Sequence, residues 1–358
     1  VELVTGTILA DLKDLTFSGP LKDTMGRAET VTASLPLKSA PEEWKAFTRP
    51  YTSAVICLAD DGQRPLWGGI ITNRKTSLGG VVTLQLATVA EYFDRRFVGN
   101  HSWTGIGQNH IARFLVNTYA GMDALEGLPI RAVIEDTVES GTPRDRTYSD
   151  ADDKSLLSVL QDLAGVSGGI EWVTEWENVN NKITPVFRVG SRIGSQAPAG
   201  LLPGVQFNSP GSVLDAEYEE SYKAGDGAND VMATSSGAAD ARPQSAHWKS
   251  GLDNRPRVEY RWSPSSSTTQ ISTLDSHASR ALGALKDGMK ALSLQASRAK
   301  APELGAEWRI GDDVFVDLVS EAWSGGFTGV ARVVGWDLTE TTVSPILLID
   351  PATVVWTL

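Results

Sequence analysis

The 358 residues exceed what one hydrophobic core usually organises, so the length points to two or three domains. Lys and Arg total 32 against 44 Asp and Glu, a net charge of −12. That excludes a protein that grips nucleic acid on a basic surface and leaves open one that lets it slide past. The single cysteine, Cys57, excludes an internal disulfide and a cysteine metal site, and no run approaches the roughly 18 apolar residues of a membrane span.

The remaining composition is that of a globular protein, 41% hydrophobic and 21% charged. Its 34 glycines and 17 prolines lean toward many turns and β structure, and eleven tryptophans suit barrel cores or subunit contacts. No basic stretch followed by an apolar run opens the chain, so no signal peptide is visible. The first residue is Val1 and not Met, which leaves processing or trimming open.

Residues 1–98 read mainly as strands. Thr30 to Leu37 alternates, and a short helix starts at Pro41 before Glu42 and Glu43. Ser53 to Ala59 is a strand, with Cys57 as a packed residue in its apolar run. Asp60-Asp61-Gly62 turns, and Trp67 to Thr72 begins the next strand. After a turn at 77–80, Val82, Leu84 and Leu86 alternate with Thr83 and Gln85. Short strands at this spacing predict a small barrel or sandwich.

Residues 99–169 read as an α+β insert. Ile111, Phe114, Leu115, Thr118 and Tyr119 form a helical stripe ending at Gly121, and a second helix spans 152–164 with Asp152 and Asp153 at its start. Residues 170–262 return to strands. Ile170, Trp172, Thr174 and Trp176 alternate with Glu171, Val173, Glu175 and Glu177, and this strand is expected to pair with Ile183 to Val189 across an Asn-rich turn. Loop follows from 225 to 242, with a short strand near Val231, and then a strand through Val258, Tyr260 and Trp262.

The spacing of Ile271, Leu274, Ala278, Ala281, Leu282, Leu285, Met289, Leu292 and Ala296 predicts one helix over 271–298, inside a helical insertion at 263–302. Either it lies on its own domain or it offers a coiled-coil seam. Residues 303–358 are strands again, at 313–319, 330–338, 346–349 and 353–358, with a turn at Gly325-Gly326. A weak internal repeat sets Trp67-Gly68-Gly69-Ile70 against Phe327-Thr328-Gly329-Val330, each opening the middle strand of three.

Candidate chemistry is scarce. Gly165-Val166-Ser167-Gly168-Gly169 spells the serine-hydrolase elbow, which needs strand, turn, helix. Here the order is helix, turn, strand, so Ser167 reads as part of a glycine-rich turn. His101, His110, His247 and His277 lack metal spacing, and His110 and His277 read as solvated surface. Asp150, Asp152 and Lys154 open like a calcium loop, but Ser155 and Gln161 replace the required Gly and Glu, so helix capping fits better. Gly105-Ile106-Gly107 lacks the third glycine of a dinucleotide fingerprint, replaced by His110, and shows no evident strand before it. The acidic pairs Asp60-Asp61 and Asp312-Asp313 sit in turns, where solvated acids are the rule, although paired carboxylates could serve a glycosidase. No catalytic, cofactor-binding or metal-binding residue is assigned, and no cofactor is expected. A structural or interaction protein leads.

Three stretches then carry a family resemblance: AVICLADDGQRPLWGGII (54–71), SLLSVLQDLAGVSGGIEW (155–172) and WRIGDDVFVDLVSEAWSGGFTGVARVVGWDLTETTVSPIL (308–347). With the segment order, they resemble the tail hub, or minor tail, proteins of long-tailed bacteriophages, most of all those of actinobacterial siphophages. The resemblance implies a β-rich α+β fold of two tube-type β-barrel domains with α+β insert modules. The first barrel would span 1–98, and the second 170–262 closed by 303–358. It implies no enzyme but a homotrimer, a pseudo-sixfold ring at the virion tail tip, assembled in the host cytoplasm. Expected neighbours are the distal tail or tail tube protein, the tape measure protein and other baseplate or receptor-binding tail proteins. DNA would pass through an acidic channel without specific binding, and no stable membrane insertion is implied. Related proteins often carry a C-terminal cell-wall enzyme; this chain stops at Leu358, just after its last barrel strand. Two other readings stay open: a carbohydrate-binding tail protein, favoured by the tryptophans, and a cell-wall hydrolase.

Overall fold

The alternating segments near the N-terminus form an antiparallel sheet of five strands in the order Thr16–Phe17, Thr30–Pro36, Val81–Ala87, Pro65–Thr76, Ala54–Leu58. A computed structural model describes residues 1–124, 126–136, 140–166, 168–198, 200–237, 241–264, 268–319, 321, 326–349 and, by backbone only, 355–356. Val82, Leu84 and Leu86 all turn inward at 0% exposure, each burial contributing about 1.5–3 kcal/mol.

A larger sheet of eight strands holds the rest of the main core. Its path runs Gln206–Ser209, Asp313–Leu318, Phe327–Leu338, Thr342–Ile349, Met289–Ser297, Val213–Ser221, with Leu21–Thr24 and Val355–Trp356 also on the long strand Phe327–Leu338. Its two outermost strands are joined through Pro210, Gly211 and Ser212 alone. Laid flat, six strands at about 4.8 Å would separate those edges by about 24 Å. Four peptide steps from Ser209 to Val213 reach at most about 14 Å. The sheet therefore curls until its edges meet, and the Ser212 amide ties the corner by donating to Asn208 Oδ1 at 3.2 Å. Both large sheets are curled half-barrels in a β-rich fold, and their inner faces share one hydrophobic cluster.

The internal repeat appears as topology. Pro65–Thr76 and Phe327–Leu338 each have 12 residues, each lies between the strand before it and the strand after it, and each takes a bulge against the following strand. The extra residues are Thr72 and Val334, the eighth in each strand. Aligned by the bulges, Trp67 faces Gly329 and not Phe327, so the sequence motif is offset by two residues on the same face.

Along the chain, between the segments of the two half-barrels, comes an α+β unit. Helices Gln108–Tyr119 and Leu156–Ala164 pack on a three-stranded sheet ordered Glu171–Val179, Lys182–Gly190, Arg131–Ile134. The hairpin turns at Asn180 and Asn181, both with positive φ, in the register the alternation predicts. Three placements depart from expectation. The 171–190 hairpin pairs with Arg131–Ile134 and not with the second barrel, because Trp172, Phe187 and Val189 bury against the helices. Asp230–Ala233, Trp248–Lys249 and Glu259–Trp262 likewise form a separate small sheet. The long helix ends at Leu285. After Gly288, at φ +76°, Met289–Ser297 is a strand central to the large sheet. Leu292, Leu294 and Ala296 alternate there with exposed Ser293 and Gln295, a period of two that imitates a heptad over a short window. The helix Ile271–Leu285 lies on its own small sheet through Leu274 and Ala278, so its seam is used internally.

Candidate functional site at the junction of the sheets

The hairpin 171–190 has two apolar faces because it serves two cores. Trp172, Phe187 and Val189 face the helices, whereas Val173 joins the cluster of the half-barrels. Arg188 lies opposite Val173 and diagonal to Glu175, so it is carried into the interior at 2% exposure. A buried guanidinium needs carboxylate partners. Arg188 donates to Glu135 from Nε and Nη2 at 2.8 and 2.6 Å, and to Glu175 from Nη1 at 2.6 Å. Arg309, from the loop before Asp313–Leu318, adds a second cation to Glu135 at 3.1 Å. Burial pushes the Glu135 carboxyl up, but Arg188 and Arg309 outweigh it and hold it below the usual carboxylate range.

A second bidentate pair lies alongside. Arg332, on the long strand Phe327–Leu338, holds Glu171, whose Oε2 also accepts from the Ile193 amide at 3.1 Å. Arg332 reaches the carbonyls of Gly311 and Ile193 as well. Arg332 with Glu171 and Arg309 with Glu135 clamp the α+β unit to the eight-stranded sheet, whereas the bonds of Arg188 to Glu135 and Glu175 lie within the unit. The sequence signal for them is the lone arginine within the apolar run Val186-Phe187-Arg188-Val189; nothing local marks its partners.

Beside this network, Asp23 and Trp336 face each other across the ladder of Leu21–Thr24 with Phe327–Leu338. Asp23 is only 7% exposed. Burial, then the charge of Glu175, pushes its carboxyl well above the ordinary range, against the Thr24 amide and Arg188. Asp23, Glu175, Trp67, Trp176 and Trp336 line one cavity of about 520 Å³.

Ser167 lies outside the described residues. Its surroundings run from helix Leu156–Ala164 through the cap Gly165 to strand Glu171–Val179, the reverse of an elbow. The acids at 150–153 do not cap that helix. Asp150–Asp152 form a preceding 3-10 turn, and the Ser155 hydroxyl accepts from the Ser158 amide at 3.2 Å. A strand, His101–Gly107, does run directly into helix Gln108–Tyr119, contrary to the sequence reading of that glycine pair. Its partner is the antiparallel Pro143–Tyr148, and the first two helix amides, of Gln108 and Asn109, already donate to the Thr142 and Ser140 carbonyls.

Of the acidic pairs, Asp61 accepts from the amides of Gln63 and Arg64, and Asp60 pairs with Arg298. Asp312 is buried and not solvated, because it accepts from the amides of Ser195 and Arg309. His277 is also buried, at 4% exposure, with Nδ1 3.3 Å from the Gly165 carbonyl; helix Ile271–Leu285 turns it against the α+β unit. His110 is half-buried. His247 Nδ1 lies 2.7 Å from Asp230, and His101 Nε2 2.6 Å from the Tyr119 hydroxyl. Burial pushes the Cys57 thiol up to about 12. Among the described residues no group of three or more His, Cys, Asp or Glu is placed to hold a metal ion, and no helix is long and apolar enough to cross a membrane.

No family model and no curated protein matches the sequence. Solved structures do match. The 43 kDa tail protein of prophage MuSo2 from Shewanella oneidensis aligns with a TM-score of 0.54 at 12% identity, covering 94% of this chain and 97% of that one. The tail protein from Neisseria meningitidis MC58 gives 0.51 at 12%, with coverages of 94% and 93%. Prophage tail protein gp18 from Listeria monocytogenes EGD-e gives 0.50 at 10%, with 94% and 89%. Across nearly its whole length, the chain has the fold of these phage tail proteins.

Proposed function

We propose that the protein is a structural tail component of a bacteriophage, the hub that closes the tail tube. The observation that carries this reading is the pair of curled half-barrel sheets in one chain, each built on a bulged twelve-residue strand. Three copies then offer six half-barrels, so a homotrimer can continue a sixfold tube with pseudo-sixfold symmetry. The tube units centre on the five-stranded and eight-stranded sheets, with the α+β unit and the small sheet beside them. Strand exchange between copies would satisfy edges such as Ala54–Leu58, whose outer side, beyond the hydrogen bonds that Ala54 exchanges with Val1, pairs with no strand among the described residues.

The edge strand Val213–Ser221 exposes Asp215, Glu217 and Glu219 at alternate positions. Such a row repels phosphate and suits a channel through which DNA and a tape measure protein slide. Its neighbours in the virion would be the tube or distal tail protein above and baseplate or receptor-binding proteins below. No catalytic role is assigned to any residue. Electron cryomicroscopy of the virion tests the reading. Density for three copies around the axis at the tail tip is expected; six copies in a ring, or a position off the axis, would overturn it.

A further inference from the structure

Among the described residues, the first sheet is one strand short of the second. Ala54–Leu58, Pro65–Thr76, Val81–Ala87, Thr30–Pro36 and Thr16–Phe17 neighbour one another in the order that Asp313–Leu318, Phe327–Leu338, Thr342–Ile349, Met289–Ser297 and Val213–Ser221 repeat, antiparallel at every step. The second sheet adds Gln206–Ser209, parallel on the outer edge of Asp313–Leu318. It comes just before Val213–Ser221 in the chain and buries Phe207 completely. The matching edge of the first sheet is open. Ala54 exchanges hydrogen bonds with Val1 there. The main-chain groups of a strand repeat their direction every second residue, so Ile56 and Leu58 also turn theirs outward, where no described strand receives them. The segment that precedes Thr16–Phe17 is Ile8–Leu12. Upstream of it the chain reverses between Glu2 and Thr7, where the Glu2 amide donates to the Thr7 carbonyl at 2.9 Å. Because Glu2 lies antiparallel to Ser53, the segment beyond Thr7 sets off parallel to Ala54–Leu58, one strand further out. From Leu9 to Asp11 its main chain makes no hydrogen bond among the described residues. A cavity of about 230 Å³ separates it from the edge, lined by both segments and by Leu15 and Phe17.

We propose that Ile8–Leu12 is a strap that closes on this edge as a parallel strand, completing the first half-barrel as Gln206–Ser209 completes the second. The repeat sets the register. Cys57 and Val316 lie opposite Trp67 and Gly329, each five residues ahead of its bulge at Thr72 or Val334. Phe207 pairs with Val316. Leu15 and Val213 both pack into the shared core, and six residues before them stand Leu9 and Phe207. In the closed state Leu9 therefore takes the place of Phe207, opposite Cys57. Its amide donates to the Ile56 carbonyl and its carbonyl accepts from the Leu58 amide, the pattern of a parallel ladder. The strap moves in by one strand spacing, about 4.8 Å, and its Leu9 side chain fills the cavity. Closure follows from the two sheets alone, whereas its consequence rests on the hub reading. A closed strap occupies the edge that strand exchange between copies uses, so it keeps free chains from pairing there and opens on assembly.

The test is amide exchange of the full chain, resolved to single residues, at a concentration where sedimentation shows a monomer. The Leu9 and Leu58 amides are expected to exchange at least about tenfold more slowly than in unstructured chain. Leu9→Asp, which puts a charge in the place of Phe207, is expected to abolish the protection of both. Should that variant fail to fold, Leu9→Cys decides. In the closed state its Cα stands within disulfide reach of Cys57, about 4.4–6.8 Å, and copper-catalysed oxidation is expected to join the two within one chain. An unprotected Leu9 amide, or protection that Leu9→Asp leaves untouched, overturns the proposal. Protection that appears only where copies associate, or a disulfide that forms only between chains, overturns it equally, since a second copy then holds the edge. Failure of the hub reading shows instead in the position of the chain in the virion and leaves exchange in the monomer unchanged.

Discussion

A single buried arginine ties the strands of the α+β unit together and fixes Glu135 where Arg309, from the eight-stranded sheet's side, reaches it. Arg188 is almost fully buried, and its three charge-assisted hydrogen bonds are what make that burial tolerable. Arg188→Met keeps most of the volume but strands Glu135 and Glu175 in a poorly solvated seam. Breaking such a pair from one side costs about 3 kcal/mol or more. Urea denaturation should therefore show Arg188→Met destabilised by about that amount. The double variant with Glu175→Gln should lose less than the sum of the singles, since one uncompensated charge has gone. Full additivity would mean that the two side chains do not act together. The sequence shows the arginine as an anomaly in an apolar strand and hides its partners, because Glu135 lies 53 positions away and meets it only through a parallel pairing. The buried His277 was hidden for a related reason: its helix stripe marks the small sheet, whereas the face it turns to Gly165 is set by tertiary packing.

Elements whose period is expressed over their full length were legible. The strands at Thr30–Pro36, Val81–Ala87 and Asp313–Leu318 and the Asn-turned hairpin match their patterns, because one face is buried throughout and a slip by one residue would expose it. The stretch 271–298 was not, because a helix and a strand follow one another with apolar residues that fit both periods. The break is local and lies at Gly288. Its φ of +76° belongs to the left-handed region, and a Cβ there would sit 2.8 Å from the Ser221 carbonyl oxygen. Gly283, inside the helix, has open space around it. A continuous helix would make both Gly→Ala changes stabilising. The observed fold gives them opposite signs. Gly283→Ala should stabilise by about 0.5–1 kcal/mol, and Gly288→Ala should destabilise by at least about 1 kcal/mol. Chemical denaturation of the two variants side by side checks this, and stabilisation by Gly288→Ala would contradict the turn.

At the scale of the molecule, the two half-barrels are not separate folding units. Leu21–Thr24 leaves the first block of sequence and pairs with Gly335–Leu338 at the far end of the chain. Lys22 meets Asp337 at 2.8 Å across that ladder, and Trp67 of the first sheet donates to the Lys22 carbonyl. Leu35, Trp67, Ile71 and Leu84 of one sheet share a hydrophobic cluster with Leu294, Val316, Phe327 and Trp336 of the other. Opening either sheet alone would expose the inner face of its partner, at about 25 cal/mol for each Å² of apolar surface. Independent domains, by contrast, would meet across a more polar boundary and melt in separate steps. Calorimetry should accordingly show both sheets melting in one transition, whatever the small sheet of 230–262 does. Leu21→Asp places a charge in the shared core through the exchanged strand, where Leu21 is 6% exposed. It should lower that transition as a whole, and amide exchange should accelerate in Val81–Ala87 and Asp313–Leu318 alike. If exchange rose in only one of these strands, or the main transition split in two, the exchanged strand would be a surface attachment and not the link between the half-barrels.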